Sequence, residues 1–307
     1  MANEITYAGA GGNLRAAEIL NAIVWENLRD MSDLRSLCVN LGDLGGSGSA
    51  KLETPTVTLN NAMAAANVNE TTAIANTALT SGAFSMTIAG QIIAYEISDL
   101  FSITKGPGGF GMEMLASAVA DSYVLRFTDM ICEVAETLTA NVGASGVDLT
   151  VDDVYSAQFA LTQALVSNEK SVVLYPTQLT DFQDSLRSEG GAVQWVDATA
   201  SMLESKGVGF VGRWNGVDFY SSDSVVTTNA GADSNGFMFG YGCFGYAEGS
   251  PSAALPGAMA AVVPAGSPVY AEFDRTANPG LSAIIGHAYV GVGLSEDARG
   301  VAIISDR

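Results

Sequence analysis

The sequence has few of the residues on which catalytic and metal sites usually depend. Its 307 residues include one histidine, His287, and no G-x-S-x-G motif that such a base would serve. The three cysteines, Cys38, Cys132 and Cys243, are widely spaced and form no CxxC pair. This spacing excludes a disulfide framework and a cysteine–histidine zinc site, and it favours buried free thiols. We therefore predict no catalytic residue, no metal and no cofactor.

Positive charge and long apolar runs are also scarce. Four lysines and nine arginines stand against 33 acidic residues, which gives a net charge of −20. Sequence-specific binding of nucleic acid needs basic patches, so this balance argues against it. No stretch approaches the roughly 18 apolar residues of a membrane span, and no basic-then-apolar signal peptide begins the chain. We expect no contact with a membrane.

Apolar residues and glycine are abundant. Apolar residues make up 48% of the chain and 34 residues are glycine, whereas charged residues make up only 15%. Such a composition indicates that much of the surface is hidden, for example against other copies of the chain. The acidic charge alone is equally typical of an ordinary protein that avoids aggregation.

The longest helical pattern spans Phe110–Ala140. Its apolar positions are spaced by three or four residues and are Leu115, Val119, Tyr123, Phe127, Met130, Val134 and Leu138. This period predicts one helix of 31 residues, about 46 Å long, which needs a wide sheet to pack against. The preceding Gly106–Gly111 matches G-x-G-x-x-G, but no acidic residue follows at a second strand end, so we interpret it as a hinge.

Residues 41–82 are rich in Gly, Ser, Asn, Thr and Ala. Lys51–Leu59 and Phe84–Ile97 alternate at either end, which predicts a projecting two-stranded hairpin; a disordered linker is the alternative. A hairpin with so few large apolar side chains needs partners outside its own domain. The predicted inter-subunit contacts are Lys51, Leu52, Glu53, Val57, Leu59 and Glu70. Lys51 is also expected to form a salt bridge.

The second half alternates short helices and strands. Thr150–Asp153 is a capping box that opens a helix to about Ser167, and Pro176 begins a second helix. Asn215-Gly216 predicts a type I′ hairpin. The two terminal segments, Ile284–Leu294 and Val301–Ile304, are expected to pair antiparallel.

Three segments in this order resemble the tailed-phage major capsid protein family, which has the Hong Kong 97 fold. They are Ser171-Val-Val-Leu-Tyr-Pro-Thr-Gln-Leu179 before a helix, Gly209-Phe-Val-Gly-Arg-Trp-Asn-Gly-Val-Asp-Phe-Tyr-Ser221, and Phe237–Tyr246 followed by Glu272-Phe-Asp-Arg275. The arm, hairpin and long helix that precede them extend the resemblance over nearly the whole chain. Each motif alone is weakly specific, and their order carries the similarity.

The resemblance implies an α+β fold with a long spine helix, a projecting hairpin (the E-loop), and peripheral and axial domains. The implied parts are residues 1–40 (N-terminal arm), 41–100 (E-loop), 101–147 (peripheral domain with the spine), 148–262 (axial domain) and 263–307 (return strands). Lys–Asn crosslinking, known in some relatives, is a minor possibility at Lys51.

The implied function is self-assembly into pentamers and hexamers of an icosahedral shell that encloses phage DNA in the virion, built in the host cytoplasm. The implied partners are copies of the chain, a portal and decoration proteins. Because Met1 leads almost directly into the arm, the resemblance also implies either a separate scaffold protein or none. Two alternatives stay open. One is an encapsulin-type nanocompartment shell, and the other is an acidic α/β enzyme that uses carboxylates or the Gly106–Gly111 loop.

Overall fold

A computed structural model describes residues 21–24, 34–43, 51–58, 80–98, 112–166, 169–189, 195–207, 209–249, 267–276 and 280–307. The helices are α1 (Met112–Ala135), α2 (Val151–Gln163), α3 (Pro176–Ser188) and α4 (Ala200–Lys206). The strands are β1 (Val39–Asp43), β2 (Lys51–Thr58), β3 (Thr80–Thr87), β4 (Ala89–Ser98), β5 (Asn141–Gly143), β6 (Lys170–Leu174), β7 (Val196–Asp197), β8 (Phe210–Trp214), β9 (Val217–Ser221), β10 (Thr227–Thr228), β11 (Asp233–Gly240), β12 (Phe244–Glu248), β13 (Val269–Thr276), β14 (Leu281–Leu294) and β15 (Gly300–Asp306).

An eight-stranded mixed sheet runs in the order β5-β15-β11-β6-β9-β8-β7, with β10 paired to β11. Helices α2 and α3 cover one face, because alternate strand residues such as Val172, Phe219 and Ile303 bury themselves against Leu161 and Phe182. The neighbouring residues of the same strands point to the opposite face and join a different hydrophobic cluster. Both faces of the central strands β6, β9 and β11 are therefore buried.

Local signals in the sequence account for the elements of this sheet. The Thr150 hydroxyl accepts from the backbone N–H of Asp153 and the Asp153 carboxylate accepts from that of Thr150, which confirms the capping box at α2. Pro176 begins α3. Asn215 and Gly216 have φ of 49° and 79°, as the predicted type I′ turn between β8 and β9 requires.

A five-stranded sheet is built around β14. Strand β4 pairs along one edge of β14, whereas β13 and β12 pair one after the other along its opposite edge. Strand β1 then joins β12 in parallel. The length of β14, 14 residues, lets one strand hold three partners.

Helix α1 lies across this sheet. The predicted stripe is buried at Leu115, Val119, Tyr123 and Phe127. The helix approaches β14 where the strand has no side chain: a Cβ atom on Gly286 would lie 2.5 Å from Val119 Cγ1. The helix has 24 residues, or about 36 Å, rather than the predicted 31.

Its end was predicted at the wrong residue. The helix stops at Ala135 instead of Ala140, because distant groups bind the following backbone. The Thr139 N–H donates to the Asp297 carboxylate at 3.1 Å, and the carbonyl of Ala140 accepts from the N–H of Ala302 at 2.8 Å. An apolar period cannot reveal such partners, since they lie more than 150 residues away in sequence.

The predicted antiparallel pairing of Ile284–Leu294 with Val301–Ile304 is also wrong. Strand β14 belongs to the five-stranded sheet, whereas β15 pairs with β11 and β5 in the eight-stranded sheet. The loop that connects β14 to β15 runs beside the loop that connects β11 to β12. The N–H groups of Ser295 and Glu296 donate to the carbonyl of Cys243 at 2.8 and 3.2 Å. The chain thus crosses twice between the sheets at one place.

Three hydrophobic clusters hold the described residues together. The largest joins α1 to β13 and β14 and to the second face of the eight-stranded sheet, so it links the two large sheets. The second lies under α2 and α3, and the third at the junction of β3, β4 and β12. None of the described helices has the length and apolarity that crossing a membrane requires.

Candidate inter-subunit surfaces

Strands β2 and β3 form a separate two-stranded hairpin. They pair antiparallel from Lys51 with Thr87 to Thr58 with Thr80. The first arm lies where Lys51–Leu59 was predicted. The second arm was predicted at the wrong residues, Phe84–Ile97: only its first four residues belong to the hairpin, because β4 (Ala89–Ser98) pairs with β14 in the five-stranded sheet. Of the predicted contact residues, Lys51, Leu52, Glu53 and Val57 lie on β2. Leu59 and Glu70 lie outside the described residues, as does the rest of segment 59–79.

Lys51 and Glu53 share one face of β2. Their Nζ and Oε1 atoms are 2.7 Å apart, which confirms the expected salt bridge. The hydrogen bond and the charge of Lys51 lower the pKa of the Glu53 carboxyl. Both side chains are more than half exposed, so this salt bridge adds little to the stability of the subunit. A gain in stability therefore does not explain the charged face of β2.

The root of the hairpin packs against its own subunit. Leu52 points away from the charged face and is partly buried against the cluster of Met86, Ile88 and Ala247. Phe84 and Tyr289 complete this contact. Leu52 therefore already has an intramolecular partner, and any contact with a neighbouring copy would involve its remaining exposed part.

Two glycines that sequence reasoning missed make this packing possible. A Cβ atom on Gly293 would lie 2.7 Å from Phe84 Cζ, and one on Gly291 would lie 2.7 Å from the carbonyl oxygen of Thr87. Both glycines are on β14, two residues apart, and hence on one face. Alternate glycines in a strand are a signal of close approach that could have indicated this contact.

The segment before the hairpin is held by buried polar contacts. The Asn21 side chain donates to the carbonyl of Ala271 at 2.9 Å and accepts from its N–H at 2.8 Å, so it pairs with β13 like a strand residue. Glu248 accepts from Arg35 at 3.1 Å and from the Tyr123 hydroxyl at 2.8 Å. Residues 21–24 and 34–37 thus pack on their own chain.

The chemistry of the described residues gives no catalytic centre. His287 lies in β14 with its ring stacked on Tyr270, 5.8 Å between centroids. The three cysteines are buried and free. Burial raises the pKa of the Cys132 thiol to about 12, and it also raises that of Cys243, so neither is a ready nucleophile.

Carboxylates are numerous among the residues that the structure describes. Burial, followed by the charges of Asp148, Asp184 and Asp306, raises the pKa of Asp181. Within the described ranges, no group of three or more His, Cys, Asp or Glu side chains has the geometry of a metal site. The Gly106–Gly111 loop lies outside those ranges.

Comparison with solved structures identifies the fold, whereas comparison of the sequence finds no match. No protein-family profile and no curated protein matches the sequence. The capsid of Ralstonia phage GP4 superposes with a TM-score of 0.60 and 10% identity, over 91% of this chain and 92% of that chain. This is the Hong Kong 97 capsid fold. The resemblance drawn from the order of sequence motifs is confirmed at the level of the fold.

Two further structures show how widely the capsid fold is shared. The head of Helicobacter pylori bacteriophage KHP40 has a TM-score of 0.58 at 10% identity, over 90% of this chain and 91% of that chain. The encapsulin of Synechococcus elongatus PCC 7942 has a TM-score of 0.57 at 14% identity, over 88% and 85%. The solved structures with a similar fold therefore include both phage capsids and an encapsulin.

Proposed function

We propose that this protein is the major capsid protein of a tailed bacteriophage and that its copies assemble as pentamers and hexamers into an icosahedral shell around the DNA genome. The observation that carries the proposal is the match over about nine-tenths of both chains to the Ralstonia phage GP4 capsid.

The parts of the chain follow the same proposal. Residues 1–40 serve as the N-terminal arm, 41–100 as the E-loop, 101–147 as the peripheral domain, 148–262 as the axial domain and 263–307 as return strands. The proposed contacts with a neighbouring subunit are Lys51, Leu52, Glu53 and Val57 of β2, with Leu59 and Glu70 beyond it. A hairpin in a sheet of its own supports this role, because two isolated strands are marginally stable in water.

An encapsulin-type shell that encloses an enzyme instead of DNA is the second candidate, and the similarity to the Synechococcus elongatus encapsulin favours it. Net charge suits the first candidate: a wall of subunits with charge −20 binds DNA weakly, so packaged DNA can slide along it. The phage proposal also includes partners of other kinds, namely a scaffold, a portal and decoration proteins.

Electron microscopy of the purified protein tests the proposal. We expect closed shells that persist on dilution to nanomolar concentration, because obligate interfaces of about 2,000–5,000 Å² dissociate slowly. A monomer that never assembles, with or without a scaffold, would refute both shell candidates. Shells from the native source that contain nuclease-protected DNA support the phage role, whereas a packaged enzyme supports the encapsulin role.

A further inference from the structure

The sequence contains two Asn-Gly pairs, and the structure gives them opposite environments. Asn215-Gly216 is the exposed tip of the β8–β9 hairpin, whereas Asn235-Gly236 lies within β11. Asparagine is a thermolabile residue, and a following glycine makes it most reactive, because no Cβ atom hinders the backbone nitrogen of that glycine. The two pairs share their local chemistry, so a difference between their reaction rates comes from the fold.

The hairpin tip is open around its glycine and is held from α2 through its asparagine. A Cβ atom on Gly216 would have no neighbouring heavy atom within 4 Å. The Asn215 Nδ2 donates to the Gln158 Oε1 of α2 at 2.9 Å, and the Gln158 Nε2 donates to the Asn215 carbonyl oxygen at 3.5 Å. Type I′ geometry turns the nitrogen of Gly216 away from the Asn215 side chain, so the two groups meet only when the tip opens and leaves Gln158. Exposed turns open locally at a low free-energy cost.

The second pair is enclosed in the eight-stranded sheet. Gly236 lies opposite Ile303 in the β11–β15 ladder, and the N–H of Asn235 donates to the carbonyl of Val226 at 2.9 Å. A Cβ atom on Gly236 would lie 2.7 Å from Gln178 Oε1. The Gly236 nitrogen and the Asn235 side chain can therefore meet only if a central strand leaves the sheet, which costs close to the free energy of global unfolding.

We propose that Asn215 is a site of spontaneous deamidation and that Gln158 slows the reaction. The backbone nitrogen of Gly216 attacks Cγ of Asn215, so an N–Cγ bond forms while the Cγ–Nδ2 bond breaks. The ammonia that leaves consists of the Asn215 amide group and the proton of the attacking N–H. Solvent water then opens the five-membered imide at either carbonyl and gives aspartate or isoaspartate. Nothing is oxidised or reduced, so water is the one co-reactant.

The products are expected to weaken the hairpin. Isoaspartate adds a methylene group to the backbone of a two-residue turn, and such a turn fixes the register of its strands. That register places Arg213 opposite Asp218, whose side chains are joined by a hydrogen bond of 2.6 Å. Either product also replaces the amide that donates to Gln158 by a carboxylate, which cannot donate.

Ageing of the folded, full-length protein at mildly alkaline pH and below its melting temperature tests the proposal. Chymotrypsin, which cuts after aromatic residues such as Trp214 and Phe219, separates the Asn215 peptide from the Asn235 peptide, and mass spectrometry measures the conversion of each. We expect Asn215 to convert at least about tenfold faster than Asn235 in the folded protein, and both to convert at similar rates once urea unfolds the chain. If Asn215 survives as long as Asn235 in the folded protein, the inference is overturned.

A pair of variants in α2 tests the role of Gln158. Gln158→Ala removes the acceptor for Asn215 Nδ2, so we expect Asn215 to convert about 2- to 10-fold faster, the factor that corresponds to one hydrogen bond. Gln163→Ala, the same substitution at an exposed position of the same helix, is the matched control and should leave the rate unchanged. Equal rates in the two variants would overturn the role assigned to Gln158.

Discussion

Asp218 is a buried carboxylate in β9, with its side chain 2% exposed. Its oxygens accept from Arg213 Nε at 2.6 Å and from Lys206 Nζ at 2.9 Å. Burial alone would favour the neutral acid, but the hydrogen bonds and charges of Arg213 and Lys206 outweigh it and lower the pKa of this carboxyl. The ionised form of Asp218 therefore contributes to the stability of the eight-stranded sheet.

We expect Asp218→Asn to lower the free energy of unfolding by about 2 kcal/mol at neutral pH, because charge-assisted hydrogen bonds are lost. A depressed carboxyl pKa gives stability that is present above the unfolded value of about 4 and disappears as pH falls through the folded value. The difference between wild type and variant should thus be constant from about pH 5 to 8 and shrink below about pH 4. Urea unfolding at several pH values measures it.

Asp223→Asn is the control for this prediction, since Asp223 is an exposed carboxylate two residues after the end of β9. It should change the free energy of unfolding by no more than about 0.5 kcal/mol. Equal effects of the two substitutions would contradict the role assigned to Asp218.

Gly286 is a second residue whose role depends on a neighbour far away in sequence. Its Cα hydrogen faces Val119 of α1, and a Cβ atom there would be 2.5 Å from a valine methyl group. Valine has one strongly preferred rotamer in a helix, so it yields poorly to such a contact.

We expect Gly286→Ala to destabilise the subunit by about 1–3 kcal/mol, the usual cost of overpacking a core. The measurement is the shift of the thermal or urea unfolding midpoint. Gly90→Ala is the matched control on the adjacent β4, because a Cβ atom there meets only Tyr289, at 3.6 Å. If both variants unfold at the wild-type midpoint, α1 does not rest as closely on β14 as described.

Among the elements, the β2–β3 hairpin has two parts with different environments. Its root is tied to the subunit through Leu52, Phe84 and Met86, whereas β2 and β3 otherwise pair with each other. Glycines of β14 receive the root, so the hairpin leaves the five-stranded sheet at a fixed place. In the proposed function, the outer part of the hairpin contacts a neighbouring subunit.

Replacement of residues 56–82 by a short Gly-Ser linker tests this division. The root remains, so we expect the subunit to fold with a cooperative melt and an unchanged circular dichroism spectrum in the helical region. Shell assembly should fail or stop at rings, because the proposed inter-subunit contacts of the outer hairpin are removed. Normal shells seen by electron microscopy would show that the hairpin does not join subunits.

At the scale of the whole molecule, the charge of −20 opposes association of copies. The described basic side chains are largely engaged within the subunit, as Arg35 with Glu248 and Arg126 with Glu133 illustrate. Assembly then depends on apolar surface, with repulsion between subunits as the opposing term.

We expect salt to promote assembly. Raising ionic strength from about 0.01 to about 0.1 M shortens the Debye length from about 30 to about 10 Å and screens the repulsion. The subunit concentration at which shells form should fall at least about threefold, or roughly 0.7 kcal/mol per subunit. Light scattering and sedimentation measure this threshold. A threshold that rises with salt would mean that attractive ion pairs hold the shell together.

The sequence by itself determined the elements whose cause is local. The capping box at Thr150, the proline that begins α3 and the Asn215-Gly216 turn depend on contacts within a few residues, so their patterns predict them. The apolar period of α1 and the alternation of β2 likewise show in the sequence. The order of these elements was enough to indicate the capsid fold.

Only the tertiary structure decided which elements meet. The end of α1 depends on Asp297. Strands β14 and β15 do not pair with each other, because each has its partners in a different sheet. The root of the hairpin depends on glycines about 200 residues downstream. Local spacing does not encode such contacts. The free-energy cost of closing a loop grows only slowly with its length, so a chain can join segments that are far apart in sequence. Burial and close packing then select which segments meet.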